Sequence, residues 1–296
     1  MKIVTTYAAL DLLGPAYTWK TQALADGALR EGRLDGNLYL RGSGDPSLTQ
    51  ERFWLLLRQL RARGISDIAG DLVLDRSAFR LPPHDPAAFD NEPLRPYNAG
   101  ADALLINFKS LRLTLLPDPA TKTTLLIPET PAEGLRVSSR IALVEGECGD
   151  WREKLKIVSD ANSIEVSGSY AGSCGEKALH LSPWAANAQV ERLFRALWRE
   201  LGGTLSGQVR DGEAPAPAKV LATQESPPLG EIVRDVNKWS NNVMARQLFL
   251  ATANTCPATP EAARARIEQW LLGKGVEGSV LDNGAGLSRN ERVTAE

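Results

Sequence analysis

The order of local patterns along this 296-residue chain is the feature that most constrains its fold. Helical spacing dominates both ends, over residues 1–13 and again over 228–236, 242–253 and 260–273. Between about 113 and 180, short β-branched runs alternate with Pro, Gly and Asp turns, and no long helical pattern interrupts them. The simplest interpretation is a mixed α/β (α+β) domain interrupted by an insertion, whose two ends fold back together.

Further elements are predicted between these ends. Residues 186–201 give the clearest helix, because apolar side chains recur there at i, i+3, i+4, i+7 and i+8. A second helix is predicted over 50–63 and a buried strand over 70–75. Residues 211–219 are rich in Pro and Ala and are interpreted as a linker.

Composition excludes several classes of protein. The formal net charge is −2 and no basic run is present, so nucleic acid is not expected as a partner. The sequence lacks a run of ~18 consecutive apolar residues, so no transmembrane helix is expected. Residues 1–13 do not have the cleavage site of a signal peptide. With two histidines, His84 and His180, and no Cys-x-x-Cys, we expect neither a metal site nor a cofactor.

The three cysteines leave two interpretations open. Cys148 and Cys174 lie in one Gly/Ser-rich region, whereas Cys256 lies beyond a predicted boundary. A Cys148–Cys174 disulfide fits an oxidising compartment. Three buried, reduced thiols explain the same residues equally well.

The residues that could carry chemistry give weak signals when each is taken alone. The chain has no Gly-x-Gly-x-x-Gly, Walker-type loop or Gly-x-Ser-x-Gly elbow, and its histidines do not suggest a Ser-His-Asp triad. Ser240 and Asn242 can face one cavity only in a turn or extended segment, because helix residues two apart point roughly 200° away from each other. In isolation, this segment is interpreted as the N-cap of the next helix and Lys2 as a solvated side chain.

Seven segments together resemble the class C low-molecular-mass penicillin-binding proteins, which are peptidoglycan D-alanyl-D-alanine carboxypeptidases and endopeptidases. Residues 1–10 are similar to the nucleophile helix of that family, where Ser-x-x-Lys opens the helix and Met-Lys commonly fills its last two places. The other segments follow in the family's order: 38–46 (Leu-Tyr-Leu-Arg-Gly-Ser-Gly-Asp-Pro), 70–75 (Gly-Asp-Leu-Val-Leu-Asp), 96–99 (Pro-Tyr-Asn-Ala), 167–170 (Ser-Gly-Ser-Tyr), 238–242 (Lys-Trp-Ser-Asn-Asn) and 282–289 (Asp-Asn-Gly-Ala-Gly-Leu-Ser-Arg).

The resemblance implies a penicillin-binding transpeptidase domain, like that of β-lactamases, interrupted by two inserted domains of which one is mainly β. Carried onto this chain, the catalytic domain is 1–40 with 213–296. The second domain is 41–112 with 181–212. The third, β-rich domain is 113–180 and contains Cys148 and Cys174.

The resemblance also implies a serine-type hydrolase that cleaves peptidoglycan stem peptides through an acyl-enzyme. Lys2 would be the general base, since a lysine in a poorly hydrated site has a lowered pKa and can accept the serine proton. Ser240 would relay a proton to the leaving D-alanine amine, and Asn242 would hold the substrate carbonyl.

Further assignments rest on thinner grounds. In this family the stretch that contains Asp90 and Tyr97 faces the mouth of the active site, so these two residues could help to select the side-chain amine of the substrate. Arg289 and Arg292 could bind carboxylates. A surface loop for the first two residues and a solubilising role for the arginines are the favoured interpretations. The complete protein would also bind β-lactam antibiotics, use no cofactor, and be periplasmic or otherwise extracytoplasmic.

Two departures from the family pattern bear on activity. The nucleophilic serine would lie two residues before Met1, and none of the lysines has a serine three positions upstream. The family's Lys-Thr-Gly motif is also absent; it would supply an oxyanion-hole N–H and bind the substrate carboxylate. We therefore expect this polypeptide to be a fragment of a longer protein, and inactive by itself.

Two alternatives remain at this point. A β-lactamase of the same superfamily is disfavoured by the large insertions, and nitrocefin turnover by the completed gene would identify one. A non-catalytic cell-wall binding or scaffolding protein could retain the fold without the chemistry. A serine codon six bases upstream of the Met1 codon would count against this second alternative.

Overall fold

The computed structural model describes residues 1–293, which divide into two compact units. Unit 1 comprises residues 1–109 together with the described residues from 198 onward, so both ends of the chain fold into one body. Unit 2 comprises residues 110–197 and takes in the predicted β-rich stretch. The chain is therefore a mixed α/β fold, and the five-segment division given by the family resemblance stays a prediction.

The predicted helices all form, with ends that agree to within one turn. Within residues 1–293 the α-helices are α1 (Lys2–Leu13), α2 (Gln50–Ala62), α3 (Ala186–Glu200), α4 (Leu229–Trp239), α5 (Asn242–Ala251) and α6 (Pro260–Gly273). The strands are β1 (Lys20–Ala25), β2 (Ala28–Arg30), β3 (Arg33–Asp35), β4 (Leu38–Arg41), β5 (Asp67–Ile68), β6 (Leu72–Asp75), β7 (Leu111–Asp118), β8 (Thr123–Pro128), β9 (Arg136–Val144), β10 (Leu155–Ser159), β11 (Ser163–Ala171), β12 (Lys177–Leu181), β13 (Thr204–Leu205), β14 (Val209–Asp211) and β15 (Lys219–Glu225).

Unit 1 is built on a mixed sheet with the strand order β14-β6-β4-β1-β15. β1 is antiparallel to both β4 and β15, whereas β4, β6 and β14 run parallel to one another. β15 follows the Pro/Ala-rich segment at once, so the chain returns from that segment directly into the sheet. A smaller sheet, β13-β5-β3-β2, completes the strands of this unit in the described chain.

The helices α1, α4, α5 and α6 of unit 1 pack against one another. One buried cluster joins Ala9 of α1 to Val236 of α4 and to Met244 of α5. A second cluster joins Ala8 of α1 to Ile267 of α6. Apolar burial of this kind stabilises the group of helices that carries the predicted motif residues at both ends of the chain.

Unit 2 is organised around a sheet with the order β10-β11-β9-β8-β7-β12. β11 and β9 are parallel over their whole length, and the other pairs are antiparallel. Alternate residues such as Leu113, Leu115, Ile164 and Val166 are fully buried, as expected for a sheet with one face in a core. A disulfide joins Cys148 to Cys174 within this unit, and Cys256 in unit 1 is a free, exposed thiol.

Candidate active site

Helix α1 buries a small and partly polar face. Ile3 and Tyr7 fall on the apolar stripe that predicts the helix, yet they are 75% and 52% exposed. The buried side chains are those of Thr5, Thr6, Ala8 and Ala9. Because these side chains are short, the α1 backbone can approach α4 and α5 closely at native packing density. Leu10 and Leu13 of the same stripe do pack against the core, so the spacing predicts the helix correctly and its buried face only in part.

The two buried threonines attach α1 to its surroundings by hydrogen bonds. The Thr5 hydroxyl donates to the carbonyl of Gly284 at 2.7 Å. The Asn237 amide, in the last turn of α4, donates to the Thr6 hydroxyl at 3.2 Å. Thr6 lies one helical turn after Lys2, and Asn237 lies three residues before Ser240. These bonds place the first turns of α1 beside the end of α4.

The segment from Trp239 to Asn242 forms the turn that the sequence requires if Ser240 and Asn242 are to share a cavity. Helix α4 ends at Trp239, and Ser240 takes a left-handed conformation with φ 52° and ψ 39°. Asn241 is the N-cap of α5, and its side-chain oxygen accepts from the N–H of Met244 at 3.0 Å. Since Asn241 satisfies the helix end, the exposed Ser240 hydroxyl and the half-buried Asn242 amide are not needed as caps.

Lys2 is half-buried at the first position of α1. Burial lowers the pKa of its amine below the ordinary value of 10.5, and the nearby positive charge of Arg246 lowers the pKa further, while Glu291 raises it. Arg246 lies one turn after Asn242 on α5, so the two side chains share one face of that helix. The amine of Lys2 therefore lies in the electrostatic field of the helix that begins with Asn242.

Glu291 is a charged neighbour of Lys2 that local sequence patterns do not reveal. Its Oε1 accepts from the backbone N–H groups of Asp282, Asn283 and Gly284 at 3.3, 3.1 and 2.9 Å. Its Oε2 is buried and has no hydrogen-bond partner among residues 1–293. The carboxylate thus fixes residues 282–284, which include the Gly284 carbonyl that accepts from Thr5. The second carboxylate oxygen forms no hydrogen bond within the described residues.

Arg246 and Gln247 are buried polar residues of helix α5 that bond to the backbone of residues 97–102. The Arg246 guanidinium donates through Nη1 to the carbonyls of Tyr97, at 3.1 Å, and Ala99. The fully buried Gln247 amide donates to the Asp102 carbonyl at 2.7 Å and accepts from the Asp102 N–H at 3.0 Å. Sequence reasoning missed both residues, although two buried polar side chains in an apolar helix are the signal that could have indicated them.

Asp90 and Tyr97 are in direct contact, as a joint role would require. The Tyr97 hydroxyl donates to Asp90 Oδ2 at 2.8 Å, and the Asn98 amide donates to Asp90 Oδ1 at 2.7 Å. Burial raises the pKa of the Asp90 carboxyl, but these hydrogen bonds lower it more, so the net pKa lies below the ordinary value. Through Tyr97, this pair is attached to α5 by Arg246.

The structure does not bring Arg292 into these contacts. Its backbone pairs with Val280, and its guanidinium donates to the carbonyls of Arg289 and Glu291 at 2.7 and 2.8 Å. The side chain is therefore turned towards its own segment. Over residues 1–293, there is no group of His, Cys, Asp and Glu side chains that could hold a metal ion. In that same range no helix is both long and apolar enough to cross a membrane.

Comparison with known protein families identifies the family of this chain. The family model described as D-Ala-D-Ala carboxypeptidase 3 (S13) family matches residues 1–296. The chain belongs to this family. The resemblance to low-molecular-mass penicillin-binding proteins that the motifs suggested is thereby confirmed.

Two curated relatives are named as D-alanyl-D-alanine carboxypeptidases. DacB of Haemophilus influenzae is 28% identical over 300 residues, which cover 99% of this chain and 62% of the relative. The enzyme of Actinomadura sp. (strain R39) is 31% identical over 320 residues, which cover 100% of this chain and 57% of the relative. The chain therefore spans less than two thirds of the length of these relatives.

The fold is similar to that of a solved penicillin-binding protein. Penicillin binding protein 4 (dacB) from Haemophilus influenzae superposes with a TM-score of 0.80 at 27% identity, over 99% of this chain and 66% of that chain. A second structure of that protein, in complex with a β-lactam, superposes with a TM-score of 0.72. The predicted fold class, a penicillin-binding domain with insertions, is confirmed.

Proposed function

We propose that this chain is the greater part of a serine-type D-Ala-D-Ala carboxypeptidase that acts on peptidoglycan stem peptides through an acyl-enzyme. Membership of the S13 family supports the reaction class. The observation that carries the residue assignment is the half-buried Lys2 amine, whose pKa is lowered by burial and by Arg246, next to the helix that begins with Asn242. A base with a lowered pKa is what proton abstraction from a serine hydroxyl near neutral pH requires.

The proposed roles are those that the family resemblance implies, and the local surroundings of each group support them. Lys2 accepts the proton of a serine that precedes it by three residues, so that both side chains share one helix face. The exposed hydroxyl of Ser240, held in its turn by Asn241, relays a proton to the amine of the leaving D-alanine. The Asn242 amide donates to the carbonyl of the substrate backbone. Asp90, oriented by Tyr97, attracts a positively charged group on the substrate side chain.

The Cys148–Cys174 disulfide supports the proposed cellular location of the protein. Disulfides persist in oxidising environments and are rare in reducing ones. The Cys148–Cys174 bond in unit 2 therefore fits a periplasmic or otherwise extracytoplasmic location, where peptidoglycan stem peptides and β-lactam antibiotics would be encountered.

Release of D-alanine from a peptide that ends in D-Ala-D-Ala tests the proposal, with the chain extended on both sides to the length of its relatives. We expect Lys2→Met to lower kcat by about 10²–10⁴-fold, the usual contribution of a general base. Lys20→Met, which removes an exposed lysine of β1, is the matched control and should leave kcat unchanged. If Lys2→Met retained the kcat of the control, the assignment of the base would be wrong.

The polypeptide of residues 1–296 is proposed to be inactive by itself. None of its lysines follows a serine by three residues, and it has no Lys-Thr-Gly. Incubation with a fluorescent penicillin followed by denaturing electrophoresis should show no labelled band, whereas the extended protein should be labelled. A covalently labelled 1–296 polypeptide would contradict this part of the proposal.

A further inference from the structure

The carboxylate of Glu291 acts on the proposed general base, yet the proposed mechanism gives it no role. Its Oε1 accepts from three consecutive backbone N–H groups, those of Asp282, Asn283 and Gly284. Hydrogen bonds from backbone N–H groups to a carboxylate are charge-assisted and fix its orientation. Glu291 therefore differs from a mobile surface side chain, because its carboxylate is held in one place.

The segment that this carboxylate fixes is attached to the face of α1 that carries Lys2. Thr5 lies three residues after Lys2, and residues at that spacing share one face of a helix. The Thr5 hydroxyl donates to the carbonyl of Gly284 at 2.7 Å in a buried hydrogen bond. A Cβ added to Gly286 would lie 3.4 Å from the Cβ of Met1. Residues 284–286 therefore lie directly against the first turn of α1.

The other oxygen of the carboxylate is available to a positive charge. Glu291 Oε2 is buried and has no hydrogen-bond partner among residues 1–293. A buried carboxylate oxygen without a donor favours a nearby cation, because the interior of a protein screens charges less than water does. Among the described residues, the carboxylate acts in this way on the amine of Lys2 and on the guanidinium of Arg246.

Of these two cations, Lys2 is the one whose charge changes in the proposed reaction. Arg246 is held in position by the carbonyls of Tyr97 and Ala99, to which its guanidinium donates. The neutral amine of Lys2 takes the proton of the serine hydroxyl as the serine oxygen attacks the substrate carbonyl, and the amine becomes a cation. Burial and the charge of Arg246 disfavour that cation, whereas Glu291 favours it.

Helices α4 and α6 also pack against α1, and charged side chains at their ends have other partners. Lys238, in the last turn of α4, lies over the Trp239 ring at 5.2 Å. Lys274, which follows α6, pairs with Asp11 at 3.0 Å. Within residues 1–293, the charged groups that act on the proposed base are Arg246 and Glu291.

We propose that Glu291 is a positioning residue for the general base. Its carboxylate holds residues 282–284 against the first turn of α1 and stabilises the positive charge that Lys2 gains when it takes the serine proton. This is the part that a buried carboxylate plays beside a histidine base, where it holds the base and stabilises its cation. The inference rests on the proposed function, since it concerns the same base.

The test follows kcat and kcat/KM for release of D-alanine as a function of pH, in the protein extended to the length of its relatives. Glu291→Gln keeps an oxygen that can accept the three N–H groups but removes the charge. We expect its kcat to fall by about tenfold, a part of the roughly 10²–10⁴-fold that a general base contributes. The acid limb of kcat/KM should move to lower pH at the same time, because an amine without the nearby negative charge loses its proton more readily.

Further variants separate the charge of the carboxylate from its structural contacts. Glu291→Asp moves the charge away by one methylene, so its acid limb should lie between those of the wild type and Glu291→Gln. Thr5→Val breaks the bond between α1 and the Gly284 carbonyl without changing a charge, so its acid limb should stay in place. Glu277→Gln, which removes an exposed carboxylate after α6, is the matched control and should change neither kcat nor the acid limb. Near-ultraviolet circular dichroism checks that each variant is folded.

The outcomes distinguish this inference from the proposed function. If Lys2→Met retained full activity, the proposed function would fail and the inference would fall with it. If Lys2→Met lost activity but Glu291→Gln and Glu291→Asp kept the kcat and the acid limb of Glu277→Gln, the inference alone would be wrong. A lower kcat with an unmoved acid limb in Glu291→Gln, or an equal shift of the limb in Thr5→Val, would show that the carboxylate acts only through structure and would also overturn it.

Discussion

Helices α1 and α3 are of similar length, but different interactions determine which side of each helix is buried. In α3 the buried side chains follow the apolar stripe of the sequence, and Leu193, Phe194 and Trp198 are almost completely buried. In α1 the first half of the stripe, Ile3 and Tyr7, is exposed, whereas Leu10 and Leu13 pack partly buried against the core. The fully buried residues of α1 are two threonines and two alanines. Burial of apolar area determines the orientation of α3, whereas close approach and hydrogen bonding determine that of α1.

The difference matters for the proposed function because α1 begins with Lys2, the proposed general base. A helix held by bulky apolar side chains would stand further from α4 and α5. Short side chains and the Thr6–Asn237 hydrogen bond hold the first turns of α1 against the last turn of α4. In this region, hydrogen bonds between buried polar groups are added to the apolar packing of Ala9 against Val236 and Met244.

The largest effect is expected from truncating the apolar face of α3. Leu193→Ala should lower the free energy of unfolding by about 2–5 kcal/mol, because it removes a fully buried side chain and leaves a cavity. The matched change on the exposed part of the α1 stripe, Ile3→Ala, should alter it by no more than about 0.5 kcal/mol. Guanidinium unfolding measures both, and equal losses would show that the two helices are oriented by the same force.

The next largest loss of stability should come from placing a larger side chain on the buried face of α1. Ala9→Leu places a bulky side chain against Met244 and Ala285 and should cost about 1–3 kcal/mol through overpacking. Ala265→Leu, on an exposed position of α6, is the control and should be nearly neutral. A neutral Ala9→Leu would mean that α1 does not approach α4 and α5 closely.

The smallest losses of stability should come from replacing Thr5 and Thr6, and the two losses should differ in size. Thr5→Val leaves the Gly284 carbonyl without its buried donor and should cost about 1 kcal/mol. Thr6→Val should cost less, because Asn237 is exposed and can turn to water. Thermal unfolding shows which of the two variants loses more stability. A larger loss for Thr6→Val would show that the Thr6–Asn237 bond contributes more than the Thr5–Gly284 bond, contrary to this prediction.

Much of the fold could be predicted from local sequence. Spacing located all six helices, since helix periodicity and capping are properties of neighbouring residues. The hairpin of β2 and β3 and the strand β15 were not predicted. β2 is fully exposed and β15 is only partly buried, so neither has the apolar alternation that identifies a strand.

The candidate site was predictable only in part. Lys2, Ser240 and Asn242 were suggested by family resemblance, and the turn at Ser240 was required by geometry. Glu291 and Arg246 were missed, because both act electrostatically on Lys2, and Arg246 also bonds to Tyr97, and both partners lie far away along the chain. Long-range electrostatics of this kind leaves no periodic signal in the sequence.

The most direct test of this account is the pKa of the Lys2 amine. It can be measured by NMR titration of lysine ¹³Cε signals in the 1–296 polypeptide, with the Lys2 signal assigned by Lys2→Arg. We expect a pKa below the ordinary 10.5, because burial and Arg246 disfavour the charged amine. Arg246→Met should raise this pKa, and Glu291→Gln should lower it. A Lys2 that titrates at 10.5 or above, and is unmoved by both substitutions, would show that its amine lies in ordinary solvent and would contradict the account.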